Sequence, residues 1–282
     1  MTFDPRLVPA RADVAAAHLE GEVTAERFVE GRHMQVATAI LPLTSGPDPE
    51  ASFASQLLLG ERFTVYDHDD TTGLSWGQSK GDRYVGHVPA AGLEPVAEDP
   101  THHITALLTH LYPEPDMKTR PFDALPFLAQ VTVVGQEGRF LEVGQGGFLP
   151  ARHAEAGAPE ADDWVATAER FAGLPYLWGG RSSLGLDCSA LVQLACQGAG
   201  RDCPRDSDMQ AGIGSEVDPD GPLARGDLVC WKGHIGIMRD STTLLHANAF
   251  HMAVASEPLD FARDRIKASE GLVVTTVRRL PD

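Results

Sequence analysis

Three residues in the C-terminal part of the chain have the types that covalent catalysis by a thiol requires. Cys188 lies in the segment GLDCSALV, His234 lies in KGHIGIM, and His246 follows in LLHANAF. A cysteine thiol attacks a carbonyl efficiently when an imidazole takes its proton and a further polar group orients that imidazole. The pattern therefore indicates nucleophilic catalysis, with Cys188 attacking and a histidine as its partner.

A helix must present the thiol. The segment SALVQLACQGAG predicts a helix that begins near Asp187 or Cys188 and ends at Gly198, with Leu191, Val192 and Ala195 facing a core. The unsatisfied N–H groups and the dipole of a helix start favour a thiolate, so we expect this position to lower the pKa of the Cys188 thiol.

A β-hairpin must bring the two imidazoles together. Strand alternation places His234, Gly236 and Met238 on one face, and Ile235 and Ile237 on the other. The next strand follows a short turn and carries His246. The four strands predicted in this half are 227–231, 234–238, 242–246 and 272–278. With a preceding helix over 164–171, capped by Asp162 or Asp163, they predict an α+β domain.

The N-terminal half has the pattern of small all-β modules, with short β-branched or aromatic runs separated by Gly, Pro and Asp. Residues 62–90 resemble residues 130–151, which indicates two related barrels. Both repeats close on a short strand that ends in proline, and this feature is similar to bacterial SH3-like domains. We predict a helical arm over 1–32, a first SH3-like domain over 33–97, a connecting helix and second SH3-like domain over 98–154, and a catalytic domain over 155–282.

Six motifs of the C-terminal half occur in the order found in the NlpC/P60 family of papain-like cysteine peptidases. They are LPYLWGG, LDCSALV, RDSDMQ, GDLVCW, GHIGIM and LLHA. The resemblance covers roughly residues 157–282, and the two SH3-like modules are similar to those of three-domain members that cut cell-wall peptides. It implies a triad in which Cys188 is the nucleophile, His234 the base and His246 the orienting residue.

The resemblance also implies how substrate is recognised. Similarity to the three-domain members implies hydrolysis of the bond between γ-D-glutamate and a diamino acid in murein peptides with a free N-terminal L-Ala. Tyr176, Ser189, Asp206 and Ser207 match the motif positions that hold this free amine and its neighbours. Glu50 and Tyr84 are the best matches for residues with which the first SH3-like domain closes one end of the groove.

Composition and charge limit the other partners. The 282 residues carry a formal net charge of -17, which repels nucleic acid, and no apolar stretch approaches the roughly 20 residues of a membrane span. We expect no metal or other cofactor, because a thiol hydrolase needs none. Four cysteines and no recognisable export signal predict free thiols in the cytoplasm. Oligomeric state and the identity of the diamino acid stay open.

Two other functions fit the same domain pattern. Papain-like acyltransferases share the cysteine and histidine core, but they usually carry the histidine before the cysteine, whereas Cys188 comes first here. A wall-fragment binding protein with a silent catalytic domain is the second alternative, and the intact set of Cys188, His234 and His246 argues against it.

Overall fold

The structure is a computed structural model that describes residues 3–48 and 50–281. The chain forms two compact units that meet in sequence between Ala158 and Pro159. The predicted catalytic domain began at residue 155, four residues before Pro159.

The first part of the N-terminal unit is built from antiparallel strands. Its strands are β1 Val14–Ala16, β2 Arg27–Val29, β3 Arg32–Val36, β4 Ile40–Thr44, β5 Phe53–Leu58, β6 Arg62–Asp69, β7 Leu74–Ser79, β8 Val85–Pro89 and β9 Leu93–Pro95. Seven of them form one sheet in the order β5-β4-β8-β7-β6-β3-β9, and β1 pairs with β2 in parallel. The described residues of the edge strands β5 and β9 do not pair with each other. The strand order is therefore that of an open sheet.

Within residues 3–32, the described part of the predicted helical arm, only one short turn is helical. Residues 17–19 form a 3-10 helix, and β1 and β2 flank it as strands. Val14, Ala15 and Ala16 are consecutive and all fully buried. A surface helix buries one face only, so three consecutive buried residues fit a strand, and the predicted helical arm is wrong here.

The second part of the unit holds eight short strands. They are β10 His102–Ile104, β11 Leu108–Leu111, β12 Asp123–Pro126, β13 Gln130–Val131, β14 Val133–Glu137, β15 Phe140–Val143, β16 Phe148–Pro150 and β17 Ala154–Ala156. They form three small sheets with the orders β13-β10-β17, β11-β12 and β14-β15-β16. Further 3-10 turns span Ala90–Gly92 and Ala151–His153.

The predicted connecting helix after His102 is wrong, because this segment contains β10 and β11. Along β11, Leu108 and His110 are exposed whereas Thr109 and Leu111 are buried. This alternation is the period of a strand. The leucine spacing resembled a helix, but pairing of β11 with β12 decided the local structure.

The C-terminal unit combines four helices with a six-stranded sheet. Its helices are α1 Trp164–Glu169, α2 Cys188–Gly198, α3 Ser207–Gln210 and α4 Leu259–Glu270; its strands are β18 Arg181–Ser182, β19 Gly185–Leu186, β20 Ser215–Val217, β21 Asp227–Trp231, β22 His234–Met238, β23 Thr243–Asn248, β24 Ala253–Pro258 and β25 Val274–Arg279. The antiparallel order is β20-β25-β21-β22-β23-β24, with β18 and β19 as a separate hairpin. This confirms the predicted mixture of helices and antiparallel sheet.

Local sequence explains where the helices begin and end. The Asp163 carboxylate accepts the N–H of Ala166 at 2.9 Å and caps α1, as predicted. Helix α4 ends at Gly271, whose φ of 70° is a left-handed conformation that glycine adopts without a Cβ clash. Across residues 3–48 and 50–281, no helix is both long and apolar enough to cross a membrane.

Candidate active site

Cys188 is the first residue of α2 and is 8% exposed. The Asp187 carboxylate precedes it and accepts the backbone N–H of Ala190 at 2.9 Å, so it caps the helix. The same carboxylate accepts the N–H of Gly179 at 3.0 Å. Asp187 thereby ties the helix start to the loop that precedes β18 and fixes the position of the thiol.

A buried arginine reinforces this helix start. The Arg205 side chain is 1% exposed and donates to both oxygens of Asp187, at 2.9 and 2.7 Å. It also donates to the Ser189 hydroxyl at 2.9 Å. From α3, the Gln210 amide donates to the backbone carbonyl of Ser189 at 2.9 Å. The residues on both sides of Cys188 are therefore held by charged or amide donors.

The two predicted histidines meet on adjacent strands. Nε2 of His234 on β22 lies 2.8 Å from Nδ1 of His246 on β23. Ile237 pairs with Leu245 and Met238 with Leu244, so the same register places Gly236 opposite His246. The predicted hairpin is confirmed, and its glycine faces the second imidazole.

A carboxylate lies behind the histidine pair. Nε2 of His246 is 2.8 Å from Oε1 of Glu257 on β24, and the guanidinium of Arg265 on α4 donates to the same oxygen. His246 is fully buried and the Glu257 side chain is 6% exposed. His234, His246 and Glu257 therefore form a chain of contacts that ends in the buried ion pair between Glu257 and Arg265.

The thiol lies against the strand that carries His234. The backbone N–H groups of Ile235 and Ser189 favour its ionised form, as does the positive charge of Arg205. Burial, followed by the charge of Asp187, outweighs them and raises the pKa of Cys188 to about 12. The expectation that the helix start lowers this pKa is wrong for the resting structure, because the thiol is buried beside a carboxylate.

Burial also determines the resting state of the imidazoles. It lowers the pKa of both His234 and His246 well below the ordinary value, and the positive charge of Arg265 lowers both further. Both histidines are therefore neutral near pH 7. The thiol and both imidazoles are therefore uncharged in the resting structure.

The close packing at Gly236 provides a first prediction. A Cβ at this position would lie 2.8 Å from Cδ1 of Leu244 and 3.1 Å from Cβ of His246. Gly236→Ala should displace His246 and slow alkylation of Cys188 by iodoacetamide at pH 7 by about tenfold, because misaligned groups transfer a proton poorly. Gly221→Ala is the matched control, since its Cβ would meet Asp218 only at 3.4 Å. Equal rates for the two variants would show that the free space at Gly236 is not required.

One predicted binding residue, Tyr176, lies within electrostatic reach of the thiol. The Tyr176 phenol is half-buried, and burial together with the charges of Cys188 and Asp187 raises its pKa. Ser189 follows Cys188, but its hydroxyl already donates to Asp187 at 3.2 Å and accepts from Arg205. Asp206 and Ser207 are half-buried at the start of α3.

The two candidates from the N-terminal half have different environments. Glu50 is exposed, and its backbone N–H donates to Asp48. Tyr84 is 5% exposed and packs with Met34 and Phe63 in the core of the first module. Packing of that core accounts for Tyr84 within its own unit.

Sequence reasoning missed Arg205 and Glu257. Arg205 directly precedes Asp206 in the RDSDMQ motif, but the paired Asp187 lies 18 positions earlier and only the fold joins them. Glu257 lies 11 positions after His246 on β24, and only the structure shows that this carboxylate is buried. An acid on the buried face of a strand requires a partner.

His246, His251 and Glu257 could also suggest a metal centre, because one ligand atom from each lies within 4.8 Å of the others. The guanidinium of Arg265 on Glu257 opposes the binding of a cation there, and His251 is tied to Asn248 through Nδ1 at 3.0 Å. We interpret the cluster as a hydrogen-bonded chain that serves the imidazoles.

Comparison with known proteins places the chain in a family. The NlpC/P60 family profile matches residues 173–263, and the bacterial dipeptidyl-peptidase SH3 domain profile matches residues 43–93. The γ-D-glutamyl-L-lysine dipeptidyl-peptidase of Bacillus cereus (strain ATCC 10987 / NRS 248) is 30% identical over 73% of this chain and 70% of that protein. The protein of the same name from Bacillus subtilis (strain 168) is 37% identical over 31% of this chain and 32% of its own length.

A solved structure shares the fold. The crystal structure of an NlpC/P60 family protein from Bacillus cereus ATCC 10987 matches with a TM-score of 0.71 and 20% identity, over 88% of this chain and all of that chain. The fold and the thiol–imidazole site define an enzyme of the cysteine peptidase class. The chain belongs to the NlpC/P60 family.

Proposed function

We propose that this protein hydrolyses the bond between γ-D-glutamate and a diamino acid in cell-wall peptides that carry a free N-terminal L-Ala. The observation that carries the proposal is the buried thiol at the start of α2, beside a strand whose His234 is hydrogen-bonded to His246 at 2.8 Å. The two Bacillus relatives named for γ-D-glutamyl-L-lysine peptides support the substrate class.

The chemistry proceeds in two steps. Cys188 transfers its proton to His234 while its sulfur forms a bond with the γ-glutamyl carbonyl carbon. The C–N bond then breaks, and His234 returns the proton to the leaving amine of the diamino acid. Water attacks the resulting thioester with His234 as base, which releases the γ-glutamyl product and restores the thiol.

Donors near the thiol fit the charge that develops on the carbonyl oxygen. The backbone N–H of Cys188 lies at a helix start, where N–H groups lack helical partners. The Tyr176 hydroxyl is a second candidate, since it lies within the electrostatic reach of the thiol. Preorganised donors of this kind stabilise an oxyanion strongly.

Recognition of the free amine is assigned to Asp206, with Tyr176, Ser189 and Ser207 around it. This assignment is supported by the packing of α3 on α2, because Gln210 donates to the backbone carbonyl of Ser189. A carboxylate such as Asp206 pairs with an ammonium through a charge-assisted hydrogen bond. The roles of Glu50 and Tyr84 in limiting substrate length stay predictions from the family resemblance.

We also propose that the enzyme acts in the cytoplasm on peptides recovered from wall turnover. All four cysteines are free and buried, which fits a reducing compartment. An acyltransferase or a silent binding protein is less consistent with the site, because the thiol and both imidazoles are in place and the cysteine precedes the histidines.

Mass spectrometry of cleaved peptides tests the proposal. L-Ala-γ-D-Glu-meso-diaminopimelate and L-Ala-γ-D-Glu-L-Lys are incubated with the enzyme, each also in N-acetylated form. We expect release of L-Ala-D-Glu from at least one free peptide, and cleavage of its acetylated form at least about 100-fold slower, because acetylation leaves a charged partner unpaired. Asp206→Asn should reduce this preference.

Three results would contradict parts of the proposal. Equal cleavage of free and acetylated peptides would remove the amine-binding role of Asp206 and its neighbours while keeping the peptidase. An unchanged preference in Asp206→Asn would move that role to another residue. Absence of cleavage of all four peptides would favour the acyltransferase or binding alternatives.

A further inference from the structure

We propose that Glu257 is a positioning residue that sets the tautomers of both imidazoles and leaves Nδ1 of His234 as the base that faces the thiol. The inference deepens the proposed function, since it concerns the same site. It rests on geometry that extends the predicted triad by one carboxylate on β24.

The sheet register places Glu257 within reach of His246. His246 pairs with Ala255 and Leu244 pairs with Glu257 across the two antiparallel strands β23 and β24. Residues two apart on a strand share a face, so Glu257 is the diagonal neighbour of His246. The 2.8 Å contact between Nε2 and Oε1 follows from this placement.

The acceptor chemistry of the carboxylate then determines where each proton lies. An ionised carboxylate only accepts, so Nε2 of His246 must carry a proton and donate it to Glu257. A neutral His246 consequently has an unprotonated Nδ1, which accepts from Nε2 of His234 at 2.8 Å. A neutral His234 with its proton on Nε2 has a free lone pair on Nδ1. That nitrogen is the one left to take the proton of Cys188.

The contacts of Glu257 differ from those of an ion pair that serves stability alone. Oε1 receives both the imidazole and the Arg265 guanidinium, whereas Oε2 is buried without a hydrogen-bond partner among the described residues. A guanidinium and a carboxylate reach their best geometry with two parallel hydrogen bonds, one to each oxygen. At Glu257 the shared oxygen is the one that anchors His246.

The surrounding charges oppose an imidazolium, and Glu257 is the group that favours it. His246 faces the positive Arg265 and the titratable His251, and both lower its pKa. His234 is likewise destabilised as a cation by His246 and Arg265, and the carboxylate of Glu257 acts in the opposite direction. Glu257 therefore stabilises the pair formed by the Cys188 thiolate and the protonated His234.

Glu257→Gln tests the inference, with the rate of Cys188 alkylation by iodoacetamide as a readout that needs no substrate. The neutral pair of Cys188 thiol and His234 imidazole holds the same number of protons as the ion pair of thiolate and imidazolium. The ratio of the two forms therefore does not depend on pH in the range where the pair as a whole neither gains nor loses a proton. Loss of the negative charge disfavours the ion pair and so lowers the population of thiolate. A change of one unit in the pKa of His234 relative to that of Cys188 should reduce the rate of alkylation at pH 7 about tenfold. The variant rate should approach that of the wild type at high pH, where the thiol ionises to solvent.

Asp227→Asn is the matched control. Asp227 is also a fully buried carboxylate in the same sheet, and Arg279 donates to both of its oxygens at 2.7 Å. We expect this variant to lose stability while its Cys188 alkylation profile stays within about twofold of wild type. In peptide cleavage, Glu257→Gln should lower kcat by about 10- to 100-fold with little change in KM, because the residue acts through the imidazoles.

A second measurement on the unaltered protein covers the case in which Glu257→Gln does not fold. Nitrogen-15 NMR of the histidine rings, assigned with His234→Gln and His246→Gln, should show protons on Nε2 of both imidazoles. Protonation of His246 on Nδ1, or equal alkylation profiles for Glu257→Gln and Asp227→Asn, would overturn the inference. Loss of alkylation in Glu257→Gln together with no cleavage of any murein peptide by wild type would instead overturn only the proposed substrate.

Discussion

Replacement of Cys188 by alanine should lower kcat/KM for the cleaved murein peptide by about four to six orders of magnitude. In the proposed mechanism the thiol forms the bond to the carbonyl carbon, and neither His234 nor a bound water in its place provides an equivalent nucleophile. Removal of a nucleophile from a catalytic set that acts as one unit costs this much in comparable hydrolases. The loss is measured by quantifying the released dipeptide over time in reactions with a large excess of variant enzyme.

The chain offers a matched control for this substitution on the same helix. Cys196 on α2 is 1% exposed and lies among core residues eight positions after Cys188. Cys196→Ala removes an equally buried thiol without touching the histidines, and it should retain turnover within about threefold of wild type. If Cys196→Ala lost as much activity as Cys188→Ala, or if Cys188→Ala still turned over, Cys188 would not be the nucleophile.

Replacement of Arg205 by methionine should destabilise the C-terminal unit by about 3–5 kcal/mol. The substitution keeps the length of the buried side chain but leaves the Asp187 carboxylate, 13% exposed, without its cation. A buried charge that loses its partner costs about this much free energy. Urea unfolding followed by tryptophan fluorescence reports on this unit, because three of the four tryptophans lie in residues 159–282.

A surface ion pair provides the comparison. Arg225 is 37% exposed and pairs with Asp163 and Glu169, which are 51% and 26% exposed. Arg225→Met should cost no more than about 1 kcal/mol, because water screens such pairs. A loss for Arg205→Met no larger than that for Arg225→Met would show that Asp187 is adequately solvated without the arginine.

Arg205→Met should also affect catalysis through the position of the thiol. Asp187 would still cap α2 through Ala190, but the Ser189 hydroxyl would lose its buried donor. The activity of the folded fraction of Arg205→Met is therefore compared with that of the wild type. A lower activity per folded molecule shows that Arg205 also contributes to the alignment of Cys188, beyond its contribution to stability. We expect the folded variant to react more slowly with iodoacetamide than Arg225→Met.

Much of the catalytic unit was predictable because its elements have local causes. The helix at Cys188 follows from a capping aspartate and a terminal glycine, and β21 and β22 occupy the predicted residues Asp227–Trp231 and His234–Met238. The proximity of His234 and His246 followed from strand alternation and a short turn. These are interactions between residues near one another in sequence, so a single chain contains the necessary information.

The N-terminal unit shows where such reasoning fails. The spacing of Leu107, Leu108 and Leu111 is compatible with a helix, yet β11 is extended because it pairs with β12 across the following loop. Likewise, β1 is fully buried as a strand although its composition of valine and alanine suits a helix. In weakly patterned segments, tertiary pairing overrides local preference.

The sequence by itself predicted Cys188 at a helix start, the pairing of His234 with His246 and the elements that present them, because each depends on short-range pattern. Only the tertiary structure decided the electrostatic state of the site. Burial beside Asp187 raises the pKa of Cys188, and the pairing of β23 with β24 brings Glu257 to His246. Solvent exclusion and charge pairing depend on residues that are distant in sequence and close in space, so they cannot be obtained from spacing alone.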